Sequence, residues 1–230
     1  MKFLFPLEKV KIIKRYKRFL ADVERSDGSI LTVHVANTGP MLGAWETNGY
    51  CYIMAKKNQG KLSHGAELVL SKNSLVGINT QIPNKLIKKA LEDKFIPQLK
   101  EYGTINPEFT LGDSKLDFKL TQNGLKDCFV EVKNCSGKKD NLGFFPDTVS
   151  ERAVKHLKEL IQLKEKGFRS VLIFVVQRED VDGFTSGDLY HPEYGLLLRE
   201  AISKGVEVIC YSCDVNLESI NLKKQIKLVL

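Results

Sequence analysis

Residues 117–133 read DFKLTQNGLKDCFVEVK and carry the most informative pattern in the chain. Their second half ends in the alternation Glu131-Val132-Lys133. Because successive side chains of a strand point to opposite faces of its sheet, Glu131 and Lys133 should project together while Val132 faces inward. The first half alternates in the same way around Asp117. The pattern therefore predicts two strands that each present an acid on one face.

The QNG tripeptide between these two strands is typical of a tight turn and predicts a hairpin. A loop of odd length centred on Gly124 would set Asp117 across from Glu131, so that both carboxylates and the Lys133 ammonium share a face. Hard divalent cations such as Mg2+ prefer carboxylate oxygens and keep water molecules for chemistry. The alternative is an exposed hairpin face on which these charged side chains are simply solvated.

Length and composition limit the class of protein. A chain of 230 residues, 43% of them hydrophobic, suits one large domain or two small ones. No apolar run approaches the roughly 20 residues that span a bilayer, and the start MKFLFP is interrupted too soon for a signal peptide. Five cysteines suit reduced, buried thiols, and the pair Cys210 and Cys213 lacks the partners of a zinc site. We therefore expect a cytoplasmic protein without membrane contact.

The net charge of +7 is concentrated near the N-terminus, where residues 1–78 contain 12 Lys and Arg against 6 Asp and Glu. The basic side chains alternate with the aromatic residues Phe5, Tyr16 and Phe19. They are Lys9, Lys11, Lys14, Arg15, Lys17 and Arg18. Such a mixture is typical of a surface that binds phosphates and stacks bases, and it favours nucleic acid as a partner. The alternative is a solvated basic hairpin.

The pattern of elements predicts two domains, at residues 1–80 and 81–230. The first has short strand-like runs separated by turn signals, which indicates an all-β barrel of the oligonucleotide-binding (OB) kind. These runs are Phe3–Leu7, Arg15–Arg25, Ile30–Ala36, Tyr50–Ala55 and Glu67–Leu70. The second domain alternates helices and strands, which indicates an α/β sheet with helical crossovers. Its later elements are a hairpin, a helix from Thr148 to Gly167, a buried strand at Val171–Gln177, a helix at Pro192–Ser203 and a strand at Val206–Tyr211.

Two helices of the second domain have readable ends. Pro83–Asp93 has helical periodicity, with proline in a suitable first turn. In the next helix, Thr148 and Glu151 match a capping box, and Gly167 is placed to end it. Its apolar stripe is predicted to contain Val149, Ala153, Val154, Leu157, Leu160 and Ile161, and its opposite side Arg152, Lys155 and His156.

Eight blocks of the sequence, in order, resemble the sugar fermentation stimulation protein family over essentially the full length. They are HVANTG at 34–39, VGINTQIPN at 76–84, SKLDF at 114–118, VEVKN at 130–134, FPDTVSER at 145–152, KHL at 155–157, FVVQ at 174–177 and GVEV at 205–208. The resemblance implies an N-terminal OB barrel joined to a C-terminal nuclease-like domain of the PD-(D/E)xK type. It also implies DNA binding with little sequence preference and a link to sugar use. The chain departs from the family pattern at Val35, Ala36 and Pro40 and in the CSG run after Asn134. These departures do not affect Asp117, Glu131 or Lys133.

With this resemblance, the hairpin becomes a candidate catalytic site. Asp117 and Glu131 would hold Mg2+ or Mn2+, with the carbonyl of Val132 as a further ligand, and Lys133 and Gln177 would orient the attacking water. Arg152, Lys155 and His156 would grip the flanking phosphate, unless they form a solvated helix face. The candidates for a third metal carboxylate are Glu108 and Glu151, while Asp113 is expected to start a strand.

Two functions fit these features. The first is a metal-dependent nuclease that grips DNA, or alternatively RNA, with its barrel. The second is a non-catalytic DNA-binding regulator of sugar (maltose) metabolism. An enzyme of sugar or nucleotide metabolism is disfavoured because no phosphate-binding glycine loop or nucleophile elbow is present. In the barrel, Asn37 and Gly39 are predicted to form a structural turn, or else a loop that touches nucleic acid or the second domain, and His34 fits either role.

Overall fold

The computed structural model describes residues 1–57, 60–111 and 114–230. Asp113, expected at the start of a strand, lies outside these residues. The described chain forms sixteen strands and three α-helices. None of the helices in these ranges is long and apolar enough to cross a membrane.

The N-terminal part forms a closed barrel. Its strands are β1 (Glu8–Tyr16), β2 (Leu20–Glu24), β3 (Ile30–Val35), β4 (Tyr50–Ala55), β5 (His64–Ser71) and β6 (Ser74–Gly77). They pair in the order β3-β2-β1-β4-β5-β6, and a parallel pairing of β3 with β5 closes the ring. Alternate apolar side chains such as Val10, Val33 and Val69 fill the interior. The predicted small all-β barrel is therefore confirmed.

Two of the predicted strands are wrong in detail. Phe3–Leu7 does not form a strand, since β1 begins only at Glu8. The run Arg15–Arg25 is not one strand but the tip of a hairpin, in which β1 and β2 meet through a turn at residues 17–19. Lys17 and Arg18 adopt positive φ angles of 48° and 65° there. Because left-handed turns usually use glycine or asparagine, two basic residues gave no local sign of this turn.

The first three residues pack on the second domain, although they were predicted within the barrel domain. The amino group of Met1 donates to the carbonyl of Ile220 (2.6 Å), and the N–H of Phe3 donates to the carbonyl of Glu218. The predicted boundary between residues 80 and 81 stays a prediction.

The C-terminal part is built on a six-stranded sheet and three helices. Its helices are α1 (Ile82–Glu92), α2 (Glu151–Glu165) and α3 (Pro192–Ser203). Its strands are β7 (Thr104–Leu111), β8 (Ser114–Thr121), β9 (Cys128–Cys135), β12 (Arg169–Val176), β14 (Glu207–Val215) and β15 (Ile220–Gln225), in the order β15-β14-β12-β9-β8-β7. The central strands β9, β12 and β14 run parallel, as helical crossovers require.

Both faces of this sheet are covered. On one face, Leu86 and Ile87 of α1 pack with Val130 and Val132 of β9. On the other face, α2 and α3 pack against Phe129 and other apolar residues of β9 and β12. Seven of the eight residues of β12 are buried, which confirms the predicted strand buried on both faces.

A second, smaller sheet extends the domain beside the barrel. It pairs β10 (Gly137–Lys139), β11 (Leu142–Phe145), β13 (Gly183–Ser186) and β16 (Lys227–Val229), in the order β10-β11-β13-β16. The chain leaves β11 through a cis peptide bond between Phe145 and Pro146 and then enters α2. This sheet therefore brings the residues before α2 up to the barrel.

The start of α2 differs from the prediction. Ser150, not Thr148, caps the helix, because its Oγ accepts the N–H of Ala153 (3.2 Å). Val149 consequently lies outside the helix and is 65% exposed instead of joining the apolar stripe. The helix does end as predicted, with Gly167 at φ +91°. Serine and threonine are nearly equivalent N-caps, so the sequence left the starting residue open between them.

A buried arginine joins the two domains. Arg178, just after β12, is 2% exposed and donates to both carboxylate oxygens of Asp180 (2.6 and 2.9 Å). It also donates to the carbonyls of Ser136 (3.0 Å) and of Gly43 in the barrel (3.3 Å). Lys138 adds a second cation to Asp180 at 2.7 Å. One guanidinium thus connects the barrel, the small sheet and the central sheet.

Asp180→Asn should destabilise the protein in a pH-dependent way. Burial raises the pKa of Asp180, but the hydrogen bonds from Arg178 and Lys138 outweigh it and hold that pKa well below its usual range. A lowered folded-state pKa stabilises the protein fully above the unfolded value of about 3.9, and this stabilisation is lost as pH falls below it. We expect the difference between wild type and variant in free energy of unfolding to be largest near pH 7 and to shrink in acid.

Urea unfolding between pH 3 and 7 measures this difference. The exposed neighbour Asp182 provides the control, since Asp182→Asn should change stability little at any pH. A constant gap between wild type and Asp180→Asn over the whole range would contradict the expectation.

Candidate metal and nucleic-acid site

The hairpin of β8 and β9 has the predicted register. Phe118 pairs with Val130 and Leu120 with Cys128, so the loop is centred on Gly124, which has φ +80°. The pairing ends at Phe118, one residue before Asp117 would face its partner. Beyond this last pair the backbones of β8 and β9 separate, and the side-chain carboxylate of Asp117 accepts the hydrogen bond from β9 instead.

Asp117 is held by two hydrogen bonds from different elements. Its Oδ2 accepts the N–H of Val132 (2.8 Å), and its Oδ1 accepts the side-chain amide of Asn84 on α1 (2.6 Å). The simple alternation predicted around it is wrong, because Leu116 and Phe118 enter the cores on opposite faces of the sheet. The strand therefore twists at Asp117, where it leaves β9.

Glu131 is a charged group inside the domain. It is 2% exposed, and its Oε1 accepts hydrogen bonds from Lys133 Nζ (2.6 Å) and His156 Nδ1. Its Oε2 is buried without a hydrogen-bond partner among the described residues. Burial favours the neutral acid, but the His156 hydrogen bond and the Lys133 charge outweigh it and lower the pKa of Glu131. The carboxylate is thus kept ionised with one oxygen unused.

These contacts overturn the alternative of a solvated hairpin face. Glu131 and Lys133 do project to one side of β9, but α2 covers that side, and the side chain of Lys133 is only 11% exposed. The prediction was drawn from an antiparallel hairpin considered alone. Because β9 also pairs with β12 on its other edge, it is an inner strand of a sheet covered on both faces.

His156 does not lie on the outer side of α2 as predicted. It is 7% exposed and points into the domain towards Glu131. Its Nε2 accepts a hydrogen bond from Arg152 Nε (3.4 Å), so the ring fits the tautomer that carries its proton on Nδ1 and donates it to the carboxylate. Helical spacing from Ala153 and Leu160 was the available signal, since residues three and four apart share a face.

The two carboxylates influence each other. Burial, and then the negative charge of Glu131, raise the pKa of Asp117 to about 6. The carboxylates of Asp117 and Glu131 are suitable ligands for a hard divalent cation. Such an ion would reduce the repulsion between them and would bind the unpartnered Oε2 of Glu131. The N–H of Val132 is committed to Asp117, which leaves its carbonyl as the group that could serve a metal.

No third acid joins this pair among the residues that the structure describes. No group of three or more His, Cys, Asp or Glu in those ranges is arranged to hold a metal. The side chain of Glu108 is 75% exposed and pairs with Lys115 (2.8 Å), and Glu151 lies exposed in the first turn of α2. Neither candidate for a third carboxylate is therefore brought to the site.

Gln177 lies at the contact between the domains. It is completely buried, and its Nε2 donates to Asn134 Oδ1 (2.6 Å) and to the carbonyl of Asn79 (3.1 Å). Its backbone carbonyl accepts the N–H of Gly77 (2.7 Å), at the end of the barrel. Its Oε1 has no partner among the described residues. Gln177 therefore connects the barrel to the strand that carries Glu131.

The predicted basic surface separates into different environments. Lys14 is exposed and pairs with Asp22 (3.4 Å), while Lys17 is exposed in the turn after β1. Arg15 instead has a structural role, because all three of its guanidinium nitrogens donate to backbone carbonyls, those of Arg18, Gly39 and Asn37.

Arg152, Lys155 and His156 also diverge instead of forming one grip. Arg152 lines a cleft between the domains, on the same side as Arg18. Lys155 lines another cavity, between the first turns of α2 and α3, and lies 3.8 Å from Glu159. His156 points inward.

The turn around residue 38 is structural and also touches the second domain. Asn37 Oδ1 accepts the N–H of Gly39 (2.9 Å), as in the predicted turn. A Cβ on Gly39 would lie 3.0 Å from the carboxylate of Asp147, which accepts the N–H of Met41 (2.8 Å). His34 is partly exposed on β3, where burial and the charge of Lys56 lower its pKa. The structural reading and the interdomain reading of this turn therefore both hold.

Two family models match consecutive parts of the chain. The SfsA N-terminal OB domain matches residues 13–78, and the Sugar fermentation stimulation protein RE domain matches residues 81–219. The chain belongs to the sugar fermentation stimulation protein family. The predicted fold class is confirmed as an OB-like barrel followed by an α/β domain that matches the model of an RE domain.

Other members of the family cover the whole chain. A sugar fermentation stimulation protein homolog of Mannheimia succiniciproducens is 43% identical over 90% of this chain and 88% of its own length. A homolog of Synechocystis sp. is 40% identical, with 100% of both chains covered. The structure of Pyrococcus furiosus SfsA in complex with Ca2+ superposes with a TM-score of 0.91 at 25% identity, over 100% of this chain and 98% of that one.

Gly77→Ala should destabilise the contact between the domains. A Cβ there would lie 2.6 Å from Gln177 Oε1 and 2.9 Å from Gln177 Cβ, and Gln177 is fixed by its other hydrogen bonds. We expect a loss of about 1–3 kcal/mol in the free energy of unfolding, as for overpacking elsewhere. Chemical denaturation measures it, with Gly60→Ala as the control because nothing lies within 4 Å of that position. Equal stabilities of the two variants would contradict the tight contact.

Proposed function

We propose that this protein is a nuclease that uses Mg2+ or Mn2+ to cleave phosphodiester bonds of DNA. The observation that supports this most is the carboxylate of Glu131, which is buried and charged with one oxygen unused beside a second acid. Lys133 compensates one charge of this pair of acids, and a divalent cation would compensate the other and give the free oxygen a partner. Pyrococcus furiosus SfsA was solved with Ca2+, another hard cation that takes oxygen ligands.

Each residue of the site would have a separate task. Asp117 and Glu131 would hold the ion, with the carbonyl of Val132 as a further ligand. When bound, the ion would activate water and stabilise charge on the phosphate. Lys133, which already contacts Glu131, would offset negative charge as the phosphodiester reacts. Gln177 would hold the barrel against β9 instead of orienting the water, because it lies five positions beyond Leu172, the β12 residue that pairs with Glu131, and packs against Gly77.

Two other groups would position the acids. His156 donates to Glu131, and Asn84 donates to Asp117. Hydrogen bonds of this kind fix the orientation of metal ligands and are a normal part of such sites. They come from α2 and α1, on opposite faces of the sheet, so the two carboxylates would be held from both sides.

DNA is the substrate that the rest of the molecule favours. The barrel belongs to the OB type, and its basic residues Lys14, Lys17 and Arg18 are exposed. Phosphate contacts carry no sequence information, which fits binding with little sequence preference. The five free, buried cysteines suit a reducing compartment such as the cytoplasm. A non-catalytic DNA-binding regulator would need the barrel but not the buried pair of acids.

Metal-dependent cleavage should depend on Asp117 and Lys133. Asp117→Asn removes a metal ligand, and Lys133→Ala removes the nearest cation, so each should slow cleavage at least about 100-fold. The assay incubates labelled single- and double-stranded DNA and RNA with Mg2+, Mn2+ or EDTA. Glu101→Gln, at an exposed acid outside the site, is the control.

The outcome separates the two functions. Cutting that requires the metal and fails in both variants supports the nuclease. Nucleic acid that is bound but left intact by wild type with either metal would leave a binding protein.

His156→Ala should weaken metal binding without removing a ligand. The buried carboxylate of Glu131 would lose the donor that orients it, and losses of this kind cost about 10–100-fold in metal affinity. Calorimetric titration with Mn2+ measures the affinity. His156→Asn keeps a donor near the Nδ1 position and should retain more of it, and Lys158→Ala on the exposed side of α2 should bind like wild type. Equal affinities of all four proteins would rule out this positioning role.

A further inference from the structure

A groove runs between the barrel and the C-terminal domain. Its inner part is a cavity of about 310 Å3 lined by Arg18 and Thr38 of the barrel and by Arg152 of α2. An adjoining cavity of about 640 Å3 shares Arg18 and Thr38 and continues along the barrel to Trp45. Together the two cavities form the interdomain groove, which extends from Trp45 past Arg18 to Arg152.

The groove has a positive lining with unused donors. Arg18 donates through Nε to the carbonyl of Thr38 (3.1 Å), and Arg152 donates through Nε to His156 (3.4 Å). The terminal nitrogens of both guanidinium groups make no hydrogen bond to a described residue. The acid that lines the groove, Asp147, already accepts the N–H of Met41. Two arginines from opposite domains are thus available to the same anionic ligand.

The outer end of the groove carries an aromatic surface. Trp45 is the single tryptophan of the chain and is partly exposed in the groove. The guanidinium of Arg15 lies over its ring, 5.7 Å from the ring centre. Bases stack on aromatic rings and on arginine planes, whereas phosphates bind to guanidinium groups. A ligand that spans the groove would therefore carry both bases and phosphates.

The size of the groove favours single-stranded over double-stranded nucleic acid. Its inner cavity is at the small end of the range of ligand pockets, about 300–1,000 Å3. In a duplex the bases are stacked and paired inside, so a base reaches a protein ring only when it is unpaired or flipped out. An unpaired strand presents its bases and phosphates together without this cost.

We propose that the interdomain groove binds a single strand of nucleic acid, with a base at the Trp45–Arg15 pair and phosphates at Arg18 and Arg152. Arg152 contacts His156, which in turn contacts Glu131, so two side-chain contacts connect the groove to the candidate metal site. That this strand is also the substrate rests on the proposed nuclease function, but its binding does not.

Binding without cleavage tests the groove separately from the nuclease. Fluorescein-labelled 20-nucleotide single strands of DNA and RNA, and the matching DNA duplex, are titrated with full-length protein in EDTA, and anisotropy is recorded. We expect the single strands to bind at least about tenfold more tightly than the duplex. The comparison of DNA with RNA identifies which of the two strands the groove prefers. Intrinsic fluorescence of Trp45 should change on addition of an unlabelled single strand.

Four variants and one control localise the contact. Trp45→Ala should weaken single-strand binding about tenfold, while Trp45→Phe, which keeps a ring, should retain most of it. Arg18→Ala and Arg152→Ala should each lower the dependence of log affinity on log salt concentration by about 0.7, the value for one phosphate of a single strand. Lys100→Ala removes an equal charge from an exposed position outside the groove and should leave both quantities unchanged.

The results separate the two proposals. Tight single-strand binding that depends on Trp45 and Arg18, in a protein that never cuts, supports the groove and ends the nuclease. Cleavage by a protein whose Trp45→Ala, Arg18→Ala and Arg152→Ala variants bind like wild type, or whose duplex binds as tightly as the single strand, overturns the groove and leaves the nuclease. An unchanged Trp45 signal on saturation with single strand would also overturn it.

Discussion

Burial of the Glu131 carboxylate is the constraint on which the C-terminal domain depends most. An unpaired ion in a protein interior costs several kcal/mol, so the sheet and helix around it must supply partners. Lys133 comes from the same face of the same strand, and His156 comes from α2. The hydrogen bond from His156 therefore orients the carboxylate, while the apolar face of α2 packs against the sheet. The other oxygen of this carboxylate, Oε2, is buried without a hydrogen-bond partner among the described residues.

The end of β12 has a comparable influence on the position of the barrel. Gln177 and Arg178 are consecutive, and both are buried at the contact between the domains. Gln177 binds the segment at the end of the barrel and the strand β9, while Arg178 binds the carbonyls of Gly43 in the barrel and of Ser136 between β9 and β10. Because these buried side chains bind both domains at once, the two walls of the interdomain groove have a defined separation. Arg18 and Arg152 can thus act on one ligand although they belong to different domains.

Several features could be predicted from local pattern. The register of the β8–β9 hairpin followed from alternation and from one glycine at its centre. Within β12, the stretch from Val171 to Val176 had no polar residue to suggest an exposed face. Prediction from local pattern failed where a residue other than glycine adopts a positive φ angle. Lys17 and Arg18 form a left-handed turn that neither residue type announces, so two strands were predicted as one.

The residue types of the candidate site could be identified from the sequence, because a pattern of two acids and a lysine on alternating strand positions requires no knowledge of the rest of the chain. Their environment was not readable. Whether Glu131 is solvated or buried depends on α2, which begins 20 residues later, and on β12, which pairs along the other edge of β9. In the same way, Arg15 and Arg18 are the same residue type three positions apart. Arg15 donates its hydrogen bonds to the loop around residue 38, whereas the terminal nitrogens of Arg18 are available in the groove. Desolvation and hydrogen bonding at these positions arise from segments that are distant in sequence, and only their packing assigns each charged group its role.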